Sequence, residues 1–179
     1  MDLEEKTIES KEIYAGEIIK VRYDLVQLPD GKRSGREIVE HSGGVTVIAV
    51  KDDGNILLVE QYRKPAEESL LELPAGKLEK GEEPIACARR ELMEETGFAA
   101  GRMDYLFSFY TTPGFCNEVL HLFLATDLRE VGGQTDEDEN IILHQIGKEE
   151  ILDMIKSGKI KDSKTIIGLL YYLNGDCYV

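Results

Sequence analysis

Positive charge is what this chain is short of. Against 35 Asp and Glu stand 21 Lys and Arg, a formal net charge of −14 over 179 residues. Such a field repels polyanions, so non-specific nucleic-acid binding and attachment to an anionic membrane are both disfavoured. Cysteine is scarce too: Cys87, Cys116 and Cys177 are scattered, odd in number and form no C-x-x-C. That argues against a disulfide framework or a zinc site, and makes a reducing cytoplasm the expected compartment. His41, His121 and His144 show no ligand spacing. No apolar run approaches the roughly 20 residues of a membrane span. The N-terminus, MDLEEKTIES, is acidic and does not read as a signal peptide. Repeats, low-complexity tracts and a basic helix-turn-helix appendage are also missing. The length suits one domain with a buried core and a small appendage.

Residues 1–40 predict a small antiparallel sheet. Lys11–Tyr14 leads to a turn at Ala15-Gly16, Ile18–Leu28 follows, and Pro29-Asp30-Gly31 turns into Arg36–Glu40. So small a sheet must pack on something larger. Residues 41–179 then form the main domain. Gly43–Val50 is a near-continuous β-branched run, the pattern of a strand buried on both faces. Asp52-Asp53-Gly54-Asn55 turns it into Ile56–Gln61. Tyr62–Ser69 reads as a polar loop and Leu70–Pro74 as a short strand. Further strands are expected at Tyr105–Thr111, Val119–Thr126 and Ile141–Ile146. Helices are expected at Glu149–Lys156 and Asp162–Leu173, the latter capped by Asp162 or Ser163. Residues 129–140 carry five acids and little that is apolar, the composition of a mobile loop. Interleaved strands and helices predict an α/β fold with a mixed sheet between helices.

The most informative stretch is Gly76–Phe98, GKLEKGEEPIACARRELMEETGF. Glycines at Gly76 and Gly81 mark a turn, Pro84 is placed to open a helix and Gly97 to end it. Ile85, Ala88 and Leu92 give an apolar stripe at helical spacing. Glu91, Glu94 and Glu95 crowd the last turns. Like charges at i, i+4 destabilise a helix by roughly 0.2–0.5 kcal/mol a pair. Carboxylates near the C-terminus also face the negative end of the helix dipole. Arg90 reaches Glu94 at i, i+4, but one arginine does not neutralise three glutamates. Oxygen-only ligands call for Mg²⁺ or Mn²⁺ rather than zinc. The duller alternative, a solvated acidic face, fits the glycines and arginine at fixed spacing less well.

This stretch resembles the Nudix box, G-x5-E-x7-R-E-U-x-E-E-x-G-U, at every fixed position. Those positions are Gly76, Glu82, Arg90, Glu91, Leu92, Glu94, Glu95, Gly97 and Phe98. The resemblance implies a Nudix α/β/α sandwich with a mixed sheet, preceded by the small N-terminal β-sheet subdomain. It also implies metal-dependent cleavage of a nucleoside diphosphate joined to another group. Pro113, fifteen residues past Phe98, lies in a T-P-G segment similar to that of the ADP-ribose pyrophosphatase branch. Arg36-Glu37, Gln61-Tyr62-Arg63 and the acidic run Asp136–Glu139 look similar too.

Membership of that branch would imply hydrolysis of ADP-ribose to AMP and ribose 5-phosphate by a homodimer that exchanges its N-terminal sheets. Carried over residue by residue, Glu91 and Glu95 would bind the cation. Ala75 would lend a backbone carbonyl, with Glu94 nearby and Glu139 joining. Glu137 would orient or deprotonate the attacking water. Arg63, Glu118 and Pro113 would meet the substrate, while Arg36 and Glu37 would reach it from the partner subunit. Glu82 and Arg90 would brace the loop and helix. The chain departs from the branch at Ile18-Ile19, where an aromatic residue often stacks on adenine; Tyr14 and Tyr23 are close in sequence. A broader nucleoside diphosphate sugar hydrolase therefore stays open, as does, more distantly, a Nudix domain that only binds a nucleotide.

Overall fold

The structure is a computed structural model and describes residues 3–132 and 140–175. Its contacts fall into two compact units, residues 1–43 with 110–119 and residues 44–109 with 120–179.

In the first unit, β1 (Lys6–Ala15), β2 (Ile19–Gln27) and β3 (Arg33–His41) form an antiparallel sheet in that order. The turn after β2 has Gly31 at φ 85°, and its N–H donates to the Leu28 carbonyl at 2.8 Å. β1 starts five residues before the predicted Lys11. Its pairing runs from Lys6↔Gln27 to Ala15↔Lys20, so backbone bonds rather than an apolar face extend it. The segment after Tyr110 joins this unit through β3. Val39 donates to the Phe115 carbonyl at 2.7 Å and accepts from the Asn117 N–H at 3.2 Å.

The second unit is built on a seven-stranded mixed sheet. Its strands are β4 (Gly44–Val50), β5 (Ile56–Arg63), β6 (Glu68–Glu72), β7 (Ala75–Lys77), β8 (Phe98–Tyr110), β9 (Val119–Glu130) and β10 (Ile141–Ile146). The main order is β10-β5-β4-β9-β8, with β6 on β5 and β7 on β4. β4 runs parallel to β9 and antiparallel to β5 and β7. Every residue of β4 is buried, as its β-branched run predicts. Val45, Val47 and Ala49 face a core shared with Cys87, Ala88 and Leu92 of helix α1 (Pro84–Thr96). Ile48 and Val50 face another, shared with Ile151 of α2 (Ile151–Lys156) and Leu169 of α3 (Ser163–Leu173). The sheet is thus covered on both sides, an α/β/α sandwich.

Three elements correct the sequence reading. The expected loop Tyr62–Ser69 is a tight hairpin, because Arg63 pairs with Glu68 and Glu67 turns the chain at φ 55°. β8 begins at Phe98, not Tyr105, since Phe98, Ala100 and Met103 pack on the α1 core. Along α1 the buried stripe is Cys87, Ala88 and Leu92. Ile85, in the first turn, is 45% exposed. The punctuation holds: Pro84 opens α1 and Gly97 closes it at φ 75°, donating to Met93 O. Asp162 caps α3, accepting from the Thr165 N–H at 2.9 Å.

Burial sets the expected scale of damage. Leu92→Ala should destabilise by about 2–5 kcal/mol, as large-to-small changes in cores do. Ile85→Ala should stay within about 1 kcal/mol, as exposed sites generally do. Urea unfolding midpoints of the two variants check the ordering.

Candidate active site

β7 is clipped to β4 by the pairs Gly44↔Lys77, Val45↔Gly76 and Thr46↔Ala75. The backbones lie so close that a Cβ at Gly44 would press on the Gly76 carbonyl. α1 packs over the same strands, so its last turns meet β7. Glu95 is nearly buried, and its Oε2 accepts from the Ala75 N–H at 2.9 Å. The Glu91 carboxylate lies directly against Gly76, where any Cβ would overlap it. The glycine at this turn is therefore required by close approach. Ala75, Glu91 and Glu95 come together in this way, with Glu94 on the adjoining face of the helix.

Arg90 ties these acids to the preceding loop. Its Nε and Nη2 donate to the two carboxylate oxygens of Glu82 at 3.0 and 3.1 Å. Its Nη1 donates to Glu91 Oε1 at 2.7 Å and to Glu94 Oε2 at 2.9 Å. Glu82 also accepts from the Glu79 N–H at 3.0 Å. The Arg90 hydrogen bond draws the Glu82 carboxyl down from an ordinary 4.5 to about 2, well ahead of the opposing burial. Cys87 beneath it is inert: burial, then the charges of Glu82 and Glu91, raise its thiol to about 12.

Arg63 sits at the end of β5, and its guanidinium is forked onto Glu72 of β6, Nε and Nη2 each donating at 2.8 Å. Lys164 of α3 also bonds Glu72 and lies 3.1 Å from Asp162 Oδ2. Burial pushes the Glu72 carboxyl up, but the Arg63 and Lys164 interactions together bring it below its ordinary value. Arg63 is raised chiefly by Glu72, with the charges of Glu95 and Asp162 adding. Nothing local in the sequence points to Glu72 or Lys164, because the partners are 92 residues apart.

The remaining predicted residues lie in the first unit or outside the described residues. Arg36 of β3 is held by Glu5, with bonds of 2.8 and 2.5 Å, and by Ser34 at 2.8 Å. Glu37 lines a cavity of about 380 Å³ with Arg22, Tyr23, Ile38, Val39 and Phe115 among its walls. Glu118 accepts from the Thr111 hydroxyl at 2.7 Å, and Pro113 is exposed in the turn between them. The aromatic walls of this cavity are Tyr23 and Phe115; Ile18 is not among its lining residues. Glu137 and Glu139 lie outside the described residues.

Residues 40–157 match the family model described as NUDIX domain. The chain belongs to the Nudix family. Residues 5–39 match a second model, the nucleoside diphosphate sugar hydrolase N-terminal domain. A methanol dehydrogenase activator from Bacillus methanolicus is 49% identical over 170 residues, 94% of this chain and 92% of the relative. An ADP-ribose pyrophosphatase from Bacillus subtilis is 46% identical over 171 residues, with the same coverage. A crystal structure of an ADP compounds hydrolase superposes with a TM-score of 0.86 over 100% of both chains at 20% identity, a likeness of fold.

The box of this Nudix chain offers a divalent cation oxygen donors alone, the set preferred by hard ions. Its glycine leaves a cradle beside Glu91 that a side chain would fill. Among the described residues no three His, Cys, Asp or Glu side chains are already gathered on one point. Arg90 instead holds Glu91 and Glu94 by charge. The donors fit such an ion in kind.

The Glu82–Arg90 brace has an acid limit. A carboxyl depressed in the folded state contributes stability above its unfolded pKa and loses it as pH falls through the folded one. For Glu82 that window runs from 4.5 down to about 2. Wild type should be more stable than Glu82→Gln at pH 7, and the gap should narrow between pH 4.5 and 2. Urea midpoints measured across that range show it; a gap independent of pH would refute the assignment.

Proposed function

We propose that this Nudix chain hydrolyses the diphosphate bond of ADP-ribose, giving AMP and ribose 5-phosphate, with Mg²⁺ or Mn²⁺ as cofactor. The observation that carries the reading is the box itself: Glu95 is anchored on the Ala75 N–H and Glu91 is pressed on Gly76. Its substrate is supported by the 46% identical ADP-ribose pyrophosphatase from Bacillus subtilis. In this reading Glu91 and Glu95 would hold the cation with the Ala75 carbonyl, with Glu94 nearby and Glu139 joining. When bound, the ion supplies neutralisation of the diphosphate charge and acidifies water. Glu137 would orient or deprotonate the attacking water. Arg63 binds a phosphate oxygen, and Glu118 and Pro113 are assigned contacts with the substrate.

The division into an N-terminal subdomain, residues 1–40, and a hydrolase domain, residues 41–179, belongs to the same reading, as does a cytoplasmic location. So does a homodimer with exchanged N-terminal sheets, in which Arg36 and Glu37 of the partner subunit reach the substrate. Its support is the surface of the first unit. All ten residues of β1 are exposed, including Ile8, Ile13 and Tyr14, and Ile18 and Tyr23 add to the uncovered apolar area. A long bare strand of this kind invites pairing with another chain. A broader specificity for nucleoside diphosphate sugars is the second reading, favoured by the family model matched at residues 5–39.

Chromatography of products from ADP-ribose, ADP-glucose and GDP-mannose, with Mg²⁺ and again with EDTA, separates these readings. AMP and ribose 5-phosphate should appear from ADP-ribose well ahead of the others and vanish with EDTA. Glu95→Gln should lower turnover by more than the roughly 100-fold typical of losing an outer partner of a metal site, with circular dichroism unchanged. Faster cleavage of a hexose compound would move the assignment to the broader hydrolase, and silence on all three would sink both.

Light scattering should give twice the chain mass for wild type. Ile13→Glu, which puts charge on the bare strand, should shift the protein toward one chain. A wild-type monomer would refute the exchanged dimer.

A further inference from the structure

Glu72 is 1% exposed, yet it carries a charge. Burying a carboxylate is expensive, and even when paired it stabilises little more than an apolar residue of the same size would. Its surroundings show what it is attached to. One side takes the Nε and Nη2 edge of Arg63 in two 2.8 Å bonds. Lys164, itself nearly buried, bonds Glu72 and lies 3.1 Å from Asp162. Asp162 accepts from the Thr165 N–H and hydroxyl at 2.9 and 2.6 Å. Thr165 Oγ1 in turn accepts from the Leu73 N–H, next to Glu72, at 2.8 Å. The first turn of α3 and the end of β6 are thereby stitched into one rigid piece.

Arg63 is the member of this cluster that faces outward. Its side chain is 40% exposed, and Nη1 enters no hydrogen bond among the described residues. A guanidinium forked on one edge by a fixed carboxylate presents its other edge in one orientation, with donors spaced for phosphate oxygens. The four charges Arg63, Glu72, Lys164 and Asp162 cancel, so the cluster does not itself repel an anion. Glu95 of the box is near enough for its charge to act on Arg63.

We propose that Glu72 and Lys164 are positioning residues for the hydrolysis: Glu72, braced by Lys164, aims the free Nη1 edge of Arg63 at a diphosphate oxygen of the substrate. This rests on the function proposed above, in which Arg63 meets the diphosphate. Because the diphosphate is common to every candidate nucleotide, the inference holds for whichever of them the wild type cleaves.

The test is steady-state kinetics of Arg63→Ala, Arg63→Lys, Glu72→Gln, Lys164→Met and the double variant Arg63→Ala/Glu72→Gln, each with its melting temperature. The substrate is the one of ADP-ribose, ADP-glucose and GDP-mannose that wild type cleaves fastest. Arg63→Ala and Glu72→Gln should each lower kcat/KM about 10- to 100-fold, the scale of losing a hydrogen bond to a charged group. The double variant should be no worse than Arg63→Ala alone, since Glu72 would act only through Arg63. Arg63→Lys, which cannot fork, should resemble Arg63→Ala, and Lys164→Met should give a smaller loss in the same direction. A Glu72→Gln protein with a lower melting temperature but unchanged kcat/KM would overturn the proposal. So would additive losses in the double variant, or an unaffected Arg63→Ala. If Glu72→Gln fails to fold, Lys164→Met decides: unchanged kcat/KM there also overturns it. Wild-type silence on all three substrates is a different failure, which removes the proposed function and this inference with it.

Discussion

Repulsion between carboxylates on one short helix is the constraint around which the second unit is arranged. Glu91, Glu94 and Glu95 lie on the last turns of α1, at the end where the helix dipole is also negative. Each is dealt with differently. Glu95 gives an oxygen to the Ala75 N–H, Glu91 lies on a strand turn with no side chain, and Glu94 shares Arg90 Nη1 with Glu91. Arg90 is then anchored by Glu82 in the preceding loop. The apolar face of α1 on β4 holds the helix close enough for all of this. A fold that keeps mutually repelling groups this close holds in place a site for opposite charge.

The second unit has a quieter counterpart in the Glu72 cluster. There two cations and two carboxylates close on themselves across the β5–β6 hairpin and the start of α3. The box leaves its acids in excess, while this cluster balances. In the proposed reading, the difference separates a place that attracts a cation from one that fixes a side chain for an anion.

What was legible in the sequence follows from range. Pro84, Gly97 and the turn at Gly54 are decided by residues a few positions apart and appear as read, and of the two caps read for α3 the structure has Asp162. The buried β4 was plain from its unbroken β-branched run. Strand ends were read short at Lys6 and Arg63, because pairing with a neighbour carries a strand through polar residues that have no apolar pattern, and at Phe98, because its packing partners on α1 come from the folded chain. Ile85 was placed in the buried stripe of α1 on spacing alone, whereas Cys87 takes that place. The box acids were found because they are adjacent along the chain. Glu72 and Lys164 were not, since only the folded chain brings them together, and the same holds for Tyr23 and Phe115 around one cavity.

The parallel pairing of β4 with β9 bears on the order in which the protein forms. It joins Gly44 to Leu120, with the hairpins, β7 and all of α1 lying between. Closing so long a loop is entropically slow, and non-local strand pairs are gained late in folding. β4 is the surface on which both β7 and α1 rest, and Phe123 and Ala125 of β9 complete the core beneath that helix. In chain order, then, the acidic helix comes before part of its own floor. The core beneath the charged site is complete only once β9 has paired with β4.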